Sequence, residues 1–253
     1  MKLIKHMTVL FSALLVQATA PALPFAANVG HWTYDGTEGP GNWGGISKDY
    51  ASCRSGRHQS PIDINATTKE KLPEIQFRYK PSPLKLINNG HTAQVNYANG
   101  SQIKVGKDRY ELVQFHFHAP SEERVRGKSF DMVAHLVHKN DAGQLAVVSV
   151  LFDQGRENVM LQPVWMNLQD HAGPEQSVPE LKIDAAQMLP QARGYYTFEG
   201  SLTTPPCSEG VRWFVLKQPV ELSKSQVAQF TRIFHSNARP VQPLNDRIVK
   251  ESQ

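Results

Sequence analysis

Short stretches of alternating apolar and polar residues, separated by turns that contain glycine and proline, follow one another through most of this 253-residue chain. Such alternation, enriched in β-branched and aromatic residues, is typical of β-strands. The pattern predicts strands at residues 75–79, 84–88, 92–97, 102–105, 110–118, 130–138, 144–152, 195–199 and 211–216. Residues 145–152 are almost continuously apolar, so this strand is expected to be buried on both faces.

Two segments have the pattern of helices. Ser223-Lys-Ser-Gln226 has the spacing of a capping box, and the apolar residues at 227, 230, 233 and 234 then fall on one helical stripe. Residues 157–168 form a second candidate, which Pro163 is expected to break or kink. These patterns together predict a mostly β domain with helices at its edges.

The N-terminal segment has the composition of an export signal. Lys2 and Lys5 precede an apolar run at residues 9–16, and small residues follow at 18–22. This order is typical of a secretory signal peptide, and the run is far shorter than the roughly 20 residues of a membrane span. We therefore predict a signal peptide at 1–22, a domain at 23–253, a periplasmic or secreted location and no membrane span in the mature form. An uncleaved membrane anchor is the alternative.

The charge of the chain indicates which partners to expect, and its cysteine content indicates whether a disulfide forms. Without the two lysines of the signal segment, basic and acidic residues nearly balance, and no cluster of Lys and Arg stands out, which argues against a nucleic acid partner. Cys53 and Cys207 are the two cysteines of the chain, and in an oxidising compartment an even pair is expected to form a disulfide. The alternative is two free, buried thiols.

Histidines are concentrated on two neighbouring predicted strands. His116 and His118 lie two residues apart, so their side chains share one face of a strand. The next strand carries His135 and His138, of which only one can face that pair because they are three residues apart. Three converging imidazoles would hold Zn2+ with one position open, as in catalytic rather than structural sites. An isolated His-x-His pair is more often an ordinary cross-strand or surface pair.

Longer motifs run through nearly the whole mature chain. In order they are His31-Trp32-x-Tyr34, Gln59-Ser-Pro-Ile-Asp-Ile64, Leu86-Ile-Asn-Asn-Gly-His91, Gln114-Phe-His-Phe-His118, Ala134-His-Leu-Val-His138, Ser201-Leu-Thr-Thr-Pro-Pro-Cys207 and Trp213. Together they resemble the alpha carbonic anhydrases of exported, bacterial type. The resemblance implies an α+β fold with a large, central, mostly antiparallel sheet and short peripheral helices. It also implies a zinc enzyme, whose substrates are carbon dioxide and bicarbonate.

The resemblance also implies roles for residues at matching positions. The zinc ligands of the family match His116, His118 and His135. The hydroxyl that orients the attacking hydroxide matches Thr203, and the carboxylate that accepts a hydrogen bond from this hydroxyl matches Glu122. Without the resemblance, Glu122 would be interpreted as a solvated loop acid.

Further matches concern proton transfer and substrate binding. His91 matches the proton shuttle, for which a pKa near 6.5 is suited, although a histidine after Asn-Gly is often a surface turn residue. Gln114 and Thr204 match polar residues on one side of the substrate site. The apolar wall that receives carbon dioxide matches residues that would equally suit core packing: Val137, Val147, Leu202, Val211 and Trp213. The family pattern also implies the disulfide and cis peptide bonds at Ser60–Pro61 and Pro205–Pro206.

One position departs from the family. Relatives usually carry glutamate two residues before the third ligand, where this chain has Val133. Valine cannot accept a hydrogen bond from His135, and such a loss typically costs about 10- to 100-fold in metal affinity or activity. Either a backbone carbonyl or water substitutes, or zinc is held less tightly; we expect the weaker site.

Two other functions remain as alternatives to a carbon dioxide lyase. A non-catalytic binding module is one, although such relatives typically lack one of the three histidines. A zinc-dependent esterase is the other, since the same hydroxide could attack an activated ester. Some exported relatives are dimers, so a homodimer is among the expected states.

Overall fold

The computed structural model describes residues 30–253, so the predicted signal peptide at 1–22 lies outside the described residues. Within 30–253 the helices are α1 (Trp43–Ile46), α2 (Ser52–Ser55), α3 (Gln162–Asn167) and α4 (Lys224–Phe234), and 3-10 turns lie at Gly36–Glu38, Lys48–Tyr50, Val159–Leu161 and Ala185–Met188. None of these helices has the length and apolar character that crossing a membrane requires.

Each of the predicted strands is present, and several further short ones join them. The strands are β1 (Asp63–Ile64), β2 (Thr68–Glu70), β3 (Ile75–Arg78), β4 (Ser82–Asn88), β5 (Ala93–Asn96), β6 (Gln102–Val105), β7 (Asp108–His118), β8 (Arg124–Val125), β9 (Met132–Lys139), β10 (Leu145–Gln154), β11 (Gln176–Ile183), β12 (Tyr195–Ser201), β13 (Glu209–Leu216), β14 (Val220–Leu222) and β15 (Lys250–Ser252).

One large sheet contains thirteen of these strands. Its main path runs β11-β4-β5-β7-β9-β10-β13-β12-β15-β2, and β3, β6 and β14 pair beside this path. Most neighbours are antiparallel; the parallel pairs within the sheet are β10 with β13, β10 with β14, and β15 with β2. The expectation of a large, mostly antiparallel central sheet with short helices is confirmed. It places the strands of the three candidate ligands, β7 and β9, side by side.

The central strands are buried on both faces, as the apolar run in β10 predicts. On β10, Ala146 and Val148 pack into one apolar cluster, whereas Val147 and Leu151 belong to a second one. The first cluster also contains Phe115 of β7 and other aromatic residues. The side chains of His116 and His118 on β7 and of His135 on β9 therefore project toward the side of the second cluster, because successive residues of a strand point to opposite faces.

Strand β11 was not predicted from the sequence. It carries Pro179 and is mostly half-buried or exposed, so its apolar alternation is weak. Its pairing with β4 shifts register between Val178 and Lys182, and it lies at the end of the strand order. Proline is tolerated on edge strands because a missing N–H need not be paired there.

Both predicted helices occur, one of them in altered form. At α4, the Ser223 hydroxyl accepts from the Gln226 backbone N–H and the Gln226 side chain accepts from the Ser223 N–H, so the capping box is confirmed. Phe230 is fully buried on the inner face of this helix. The second segment begins as a 3-10 turn and continues as α3. The segment thus changes from a 3-10 turn to an α-helix just before Pro163, as the expected break or kink implies, and Pro163 itself lies in the first turn of α3, where its missing N–H costs nothing.

Covalent and backbone features fix the N-terminal segment against the loop after β12. Cys53 and Cys207 form the expected disulfide, with 5.0 Å between their Cα atoms. The peptide bonds Ser60–Pro61 and Pro205–Pro206 are cis as expected, and Ala119–Pro120 is a further cis bond that was not predicted. The loop that carries Thr203 and Thr204 is therefore fastened close to the core.

Candidate metal centre

Three histidines meet at the junction of β7 and β9. His116 and His118 point to the same face of β7, and His135 of β9 lies directly opposite His116 in the strand register. One nitrogen from each ring lies within 4.8 Å of the others, and the three could hold a metal ion. His118 and His135 are almost fully buried, whereas His116 is half-buried.

Hydrogen bonds to the protein fix two of the rings. His116 Nδ1 lies 2.9 Å from Gln114 Oε1, and His118 Nδ1 lies 2.7 Å from the backbone oxygen of Asn237. A carbonyl oxygen can only accept, so each Nδ1 carries the proton and each Nε2 presents a lone pair. Both Nε2 atoms are therefore suited to metal binding.

The third ring is oriented in the opposite sense. His135 Nε2 lies 3.0 and 3.2 Å from the two carboxylate oxygens of Glu123. A carboxylate accepts, so Nε2 donates and the lone pair lies on Nδ1. With valine at position 133, a backbone carbonyl, a water or a weaker zinc site was expected here; the structure instead supplies a side-chain carboxylate from a neighbouring loop.

Burial controls the charge of the three rings. It lowers the pKa of His116 to about 3, with a further lowering from His135, and it lowers the pKa of His118 well below its usual value. Burial also lowers the pKa of His135, but the charge of Glu123, its hydrogen bond to the ring and the charge of Glu122 together outweigh burial, so the pKa is raised. His116 and His118 are thus neutral at physiological pH and can offer a lone pair to a metal. His135 instead interacts with the carboxylate of Glu123.

The donor set fits a divalent cation. Among residues 30–253, His118 Nε2 is buried without a hydrogen-bond partner, and so is Glu122 Oε2, 3.5 Å away. An unpaired buried polar atom costs about 1–3 kcal/mol, which a metal bound to that nitrogen would remove. Three imidazoles in this arrangement match the ligands of catalytic zinc sites.

His138, the other candidate on β9, lies elsewhere. Its ring is fully buried, with Nε2 2.8 Å from the Tyr79 hydroxyl. Burial lowers the pKa of His138 to about 3. The structure thus brings His135 to the pair on β7 and places His138 in the core.

Glu122 and Thr203 lie together in the interior. The Glu122 Oε1 atom accepts from the Arg239 backbone N–H at 2.8 Å. Burial raises the pKa of Glu122 to about 7, against the opposing effects of His135, the Arg239 N–H and the Thr203 hydroxyl. The Thr203 hydroxyl lies close enough to this carboxylate to lower the pKa of Glu122. Within residues 30–253, however, Glu122 Oε2 has no hydrogen-bond partner of ordinary geometry.

The candidate substrate residues form an apolar wall beside the histidines. Val147, Val211 and Trp213 are buried in the second cluster, and Val137 and Leu202 pack against it. The Trp213 ring lies 5.0 Å from the His135 ring and donates through Nε1 to the Ser201 carbonyl. Thr204, half-buried, follows Thr203 in the loop after β12.

His91 is half-buried and packs against aromatic rings. It is stacked on Trp32, with 3.7 Å between ring centroids, and Tyr34 lies edge-on at 6.4 Å. Burial lowers the pKa of His91, and the nearby His31 lowers it further. The Asn237 side chain donates to the His91 carbonyl and its backbone oxygen accepts from His118. This asparagine therefore connects the segment of His91 to the metal centre.

Sequence reasoning missed several of these contacts. Glu123 was overlooked although it adjoins Glu122, because a loop has no periodicity that shows which of two neighbouring acids turns toward the strand. Asn237 and Arg239 lie more than a hundred residues from their partners His118 and Glu122. No local pattern in the sequence marks them.

Comparison with known proteins agrees with this geometry. The family model for eukaryotic-type carbonic anhydrase matches residues 38–253. The chain is 45% identical to a carbonic anhydrase of Nostoc sp. over 251 residues, covering 97% of this chain and 94% of that protein. It is also 45% identical to a carbonic anhydrase of Klebsiella pneumoniae, covering 95% and 97%.

A solved structure shows the same fold. The alpha-carbonic anhydrase of Thermovibrio ammonificans, in complex with the inhibitor sulfanilamide, superposes with a TM-score of 0.85 at 43% identity, covering 87% of this chain and 99% of that one. Fold, histidine geometry and sequence similarity thus agree over most of the chain. The protein belongs to the alpha, or eukaryotic-type, carbonic anhydrase family.

Proposed function

We propose that this protein catalyses the reversible hydration of carbon dioxide to bicarbonate and a proton, with Zn2+ bound by His116, His118 and His135. The observation that carries the proposal is the convergence of three imidazoles whose second nitrogens are all engaged by the protein. Held by these three histidines, Zn2+ would lower the pKa of a bound water to about 7 and so supply hydroxide at neutral pH, an effect for which carbonic anhydrases are themselves the standard example.

Thr203 and Glu122 orient the nucleophile. When the Thr203 hydroxyl donates its proton to the Glu122 carboxylate, its oxygen can only accept from the attacking group. This fixes the direction of a lone pair on the nucleophile and so reduces the orientational entropy of the reaction. The Arg239 N–H supports the arrangement by holding the other oxygen of Glu122.

The apolar wall suits an uncharged substrate. Carbon dioxide offers no charge to a binding site, so burial against apolar side chains is the contact available to it. Val147 and Trp213 lie opposite each other on paired strands, and the Trp213 ring lies 5.0 Å from the His135 ring. Gln114, which fixes His116, and Thr204 are polar residues of the same region.

His91 transfers the product proton to buffer. Its ring is half-buried against Trp32, so it contacts the protein on one face and remains within reach of solvent. A base with a pKa in the near-neutral range can accept a proton and release it again quickly. The disulfide supports export to the periplasm or the cell exterior, since such bonds persist in oxidising compartments.

The test is stopped-flow hydration of carbon dioxide by the purified protein, with bound zinc counted in the same sample. We expect one zinc per chain and rapid hydration. Full zinc occupancy without hydration would contradict the proposal and favour the binding-module alternative.

A variant pair sharpens the test. Thr203→Val removes the orienting hydroxyl and is expected to lower kcat/KM on the order of 100-fold while zinc remains bound. Thr197→Val changes another buried threonine, on β12, and is the matched control. Equal activity of the two variants would exclude a role for the Thr203 hydroxyl.

A further inference from the structure

Strand β9 lacks a polar partner for its own metal-binding histidine. Val133 lies two residues before His135 on the same face of the strand, and its side chain is fully buried in the second apolar cluster with Phe130 and Leu151. A valine cannot accept a hydrogen bond, so the orientation of the His135 ring must be set from outside the strand.

The loop between β7 and β8 provides that partner. Glu123 is fully buried, and both of its carboxylate oxygens lie within hydrogen-bond distance of His135 Nε2. One of them, Oε1, also accepts from the Ser149 hydroxyl at 2.9 Å. Ser149 is fully buried on β10, directly opposite His135 in the strand register. The carboxylate is therefore held from two sides.

The backbone of this loop is fixed as well. The Ser121 hydroxyl donates to the Glu123 carbonyl at 2.8 Å and accepts from the Phe130 N–H at 2.9 Å. At the start of the loop, the Ala119 N–H donates to the Asn237 side chain. These contacts fasten the loop to the segment before β9 and leave the Glu123 side chain little freedom.

Two buried carboxylates place negative charge around His135, which favours a cation at this site. Glu122 and Glu123 are both buried, one on each side of the ring: Glu122 Oε2 lies 3.8 Å from Nδ1, and Glu123 lies at Nε2. Isolated buried carboxylates are strongly unfavourable unless paired. A divalent cation at the three imidazoles would compensate this negative charge.

We propose that Glu123, held by Ser149, is the positioning residue that fixes His135 for metal binding and replaces the carboxylate that β9 lacks at Val133. By accepting from Nε2, it keeps the Nδ1 lone pair directed at the metal and restricts rotation of the ring. The inference rests on the proposed zinc site. This role of Glu123 replaces the expectation of a weak zinc site, because the hydrogen bond that orients His135 comes from a loop rather than from β9.

The first experiment measures zinc loss to a chelator from the zinc-loaded full-length mature protein. Glu123→Gln preserves shape but removes the charge, and zinc is expected to dissociate about 10- to 100-fold faster than from wild type. Ser149→Ala is expected to shift the rate in the same direction by a smaller factor. Ser101→Ala removes another buried hydroxyl, bonded to the backbone of Lys80, and is expected to leave the rate unchanged.

The second experiment is a rescue that a merely structural role would not produce. Val133→Glu alone is not expected to slow zinc loss, because Glu123 already holds the ring and a second carboxylate would be buried beside it. Glu123→Ala alone is expected to accelerate zinc loss. In the double variant Glu123→Ala/Val133→Glu, the glutamate on β9 can bond His135, so slow dissociation is expected to return.

The outcomes separate this inference from the proposed function. Zinc loss from Glu123→Gln at the wild-type rate would overturn the inference, as would Val133→Glu slowing zinc loss in the presence of Glu123. Wild-type protein that binds zinc tightly but does not hydrate carbon dioxide would overturn the proposed function and leave the positioning role standing if the variants behave as expected. Wild-type protein that takes up no zinc would overturn both.

Discussion

The chemistry of this site depends on the hydrogen bond that each of the three histidines makes through its second ring nitrogen. Each ligand histidine uses one ring nitrogen to bond the protein: His116 bonds Gln114, His118 bonds the backbone of Asn237, and His135 bonds Glu123. Because these partners differ, the nitrogen left for the metal is Nε2 in two rings and Nδ1 in the third. Knowing that three histidines are present does not specify this difference.

The half-buried position of His91, stacked on Trp32, leads to a prediction about proton transfer. His91→Ala is expected to lower kcat at least about 10-fold in weak buffer. The value of kcat/KM is expected to stay unchanged, because the attack on carbon dioxide does not depend on the proton shuttle. Added imidazole is expected to restore kcat. The measurement is stopped-flow hydration at two buffer concentrations, with the surface variant His171→Ala as control. Loss of kcat that imidazole does not restore would contradict a shuttle role.

The structure also predicts in which direction pH changes proton transfer through His91. Burial and His31 lower the pKa of His91 below its ordinary value. His91 accepts protons only in its neutral form, so kcat in weak buffer is expected to rise with pH through a midpoint below 6.5.

His138 leads to a prediction about stability in acid. Its pKa is about 3 in the folded protein, whereas in the unfolded chain it is about 6.5. Above pH 6.5 the ring is neutral in both states. As pH falls from 6.5 toward 3, the unfolded state alone binds the proton, so this contribution to stability is lost by up to about 1.4 kcal/mol per pH unit.

The comparison is made by urea unfolding of wild type and His138→Gln between pH 7 and pH 4. The stability of the variant is expected to fall less steeply with acid, since one buried histidine is missing. Parallel curves for the two proteins would contradict burial of a neutral His138 as the cause.

At the scale of elements, alternation along strands places the functional side chains. On β7 the phenylalanines Phe115 and Phe117 enter the first apolar cluster, so His116 and His118 must point to the opposite face. The antiparallel register between β7 and β9 then brings His135 opposite His116. A shift of one residue in that pairing would turn His135 away from the site.

The N-terminus of α4 leads to a prediction about an element. Ser223→Ala removes the hydroxyl that accepts from the Gln226 N–H, and the free energy of unfolding is expected to fall by about 1 kcal/mol. Ser223→Asp retains an acceptor and is expected to remain close to wild type. Urea unfolding of the three proteins measures the difference. Equal losses in both variants would indicate that the cap itself is not the cause.

For the whole molecule, long-range connections hold the N-terminal segment and the loop after β12 together. Arg239 donates to the carbonyls of Cys53 and Ser60 and to the Gln59 side chain, and Gln59 in turn donates to the Cys207 carbonyl. These bonds surround the disulfide and lie next to the backbone N–H that fixes Glu122. Global stability and the geometry of the site are therefore coupled in this region.

The disulfide leads to a prediction at this scale. Cys53 and Cys207 are 154 residues apart, so the bond closes a long loop in the unfolded chain. The variant Cys53→Ser/Cys207→Ser is expected to lose about 2–5 kcal/mol of unfolding free energy. Zinc content at low temperature is expected to be retained, because the three histidines lie on the central strands. An unchanged unfolding midpoint would show that the bond does not stabilise the folded state.

Local sequence was sufficient to predict much of this protein. Period-two alternation indicated the strands of the sheet that carry the site, the capping box indicated the start of α4, and the spacing of His116 and His118 put two imidazoles on one face. These properties depend only on residues near one another in the chain. The resemblance to the alpha carbonic anhydrases then indicated which of His135 and His138 is the third ligand.

Contacts between distant residues required the folded structure. Glu123 meets His135 and Ser149 because a loop, two strands and their register are packed together, and none of these distances is encoded in a local pattern. The same is true of Asn237, Arg239 and the edge strand β11. Loop side chains follow no period, and their direction depends on the surfaces that pack against them. The missing carboxylate at Val133 was therefore visible in the sequence, but its replacement became visible only in three dimensions.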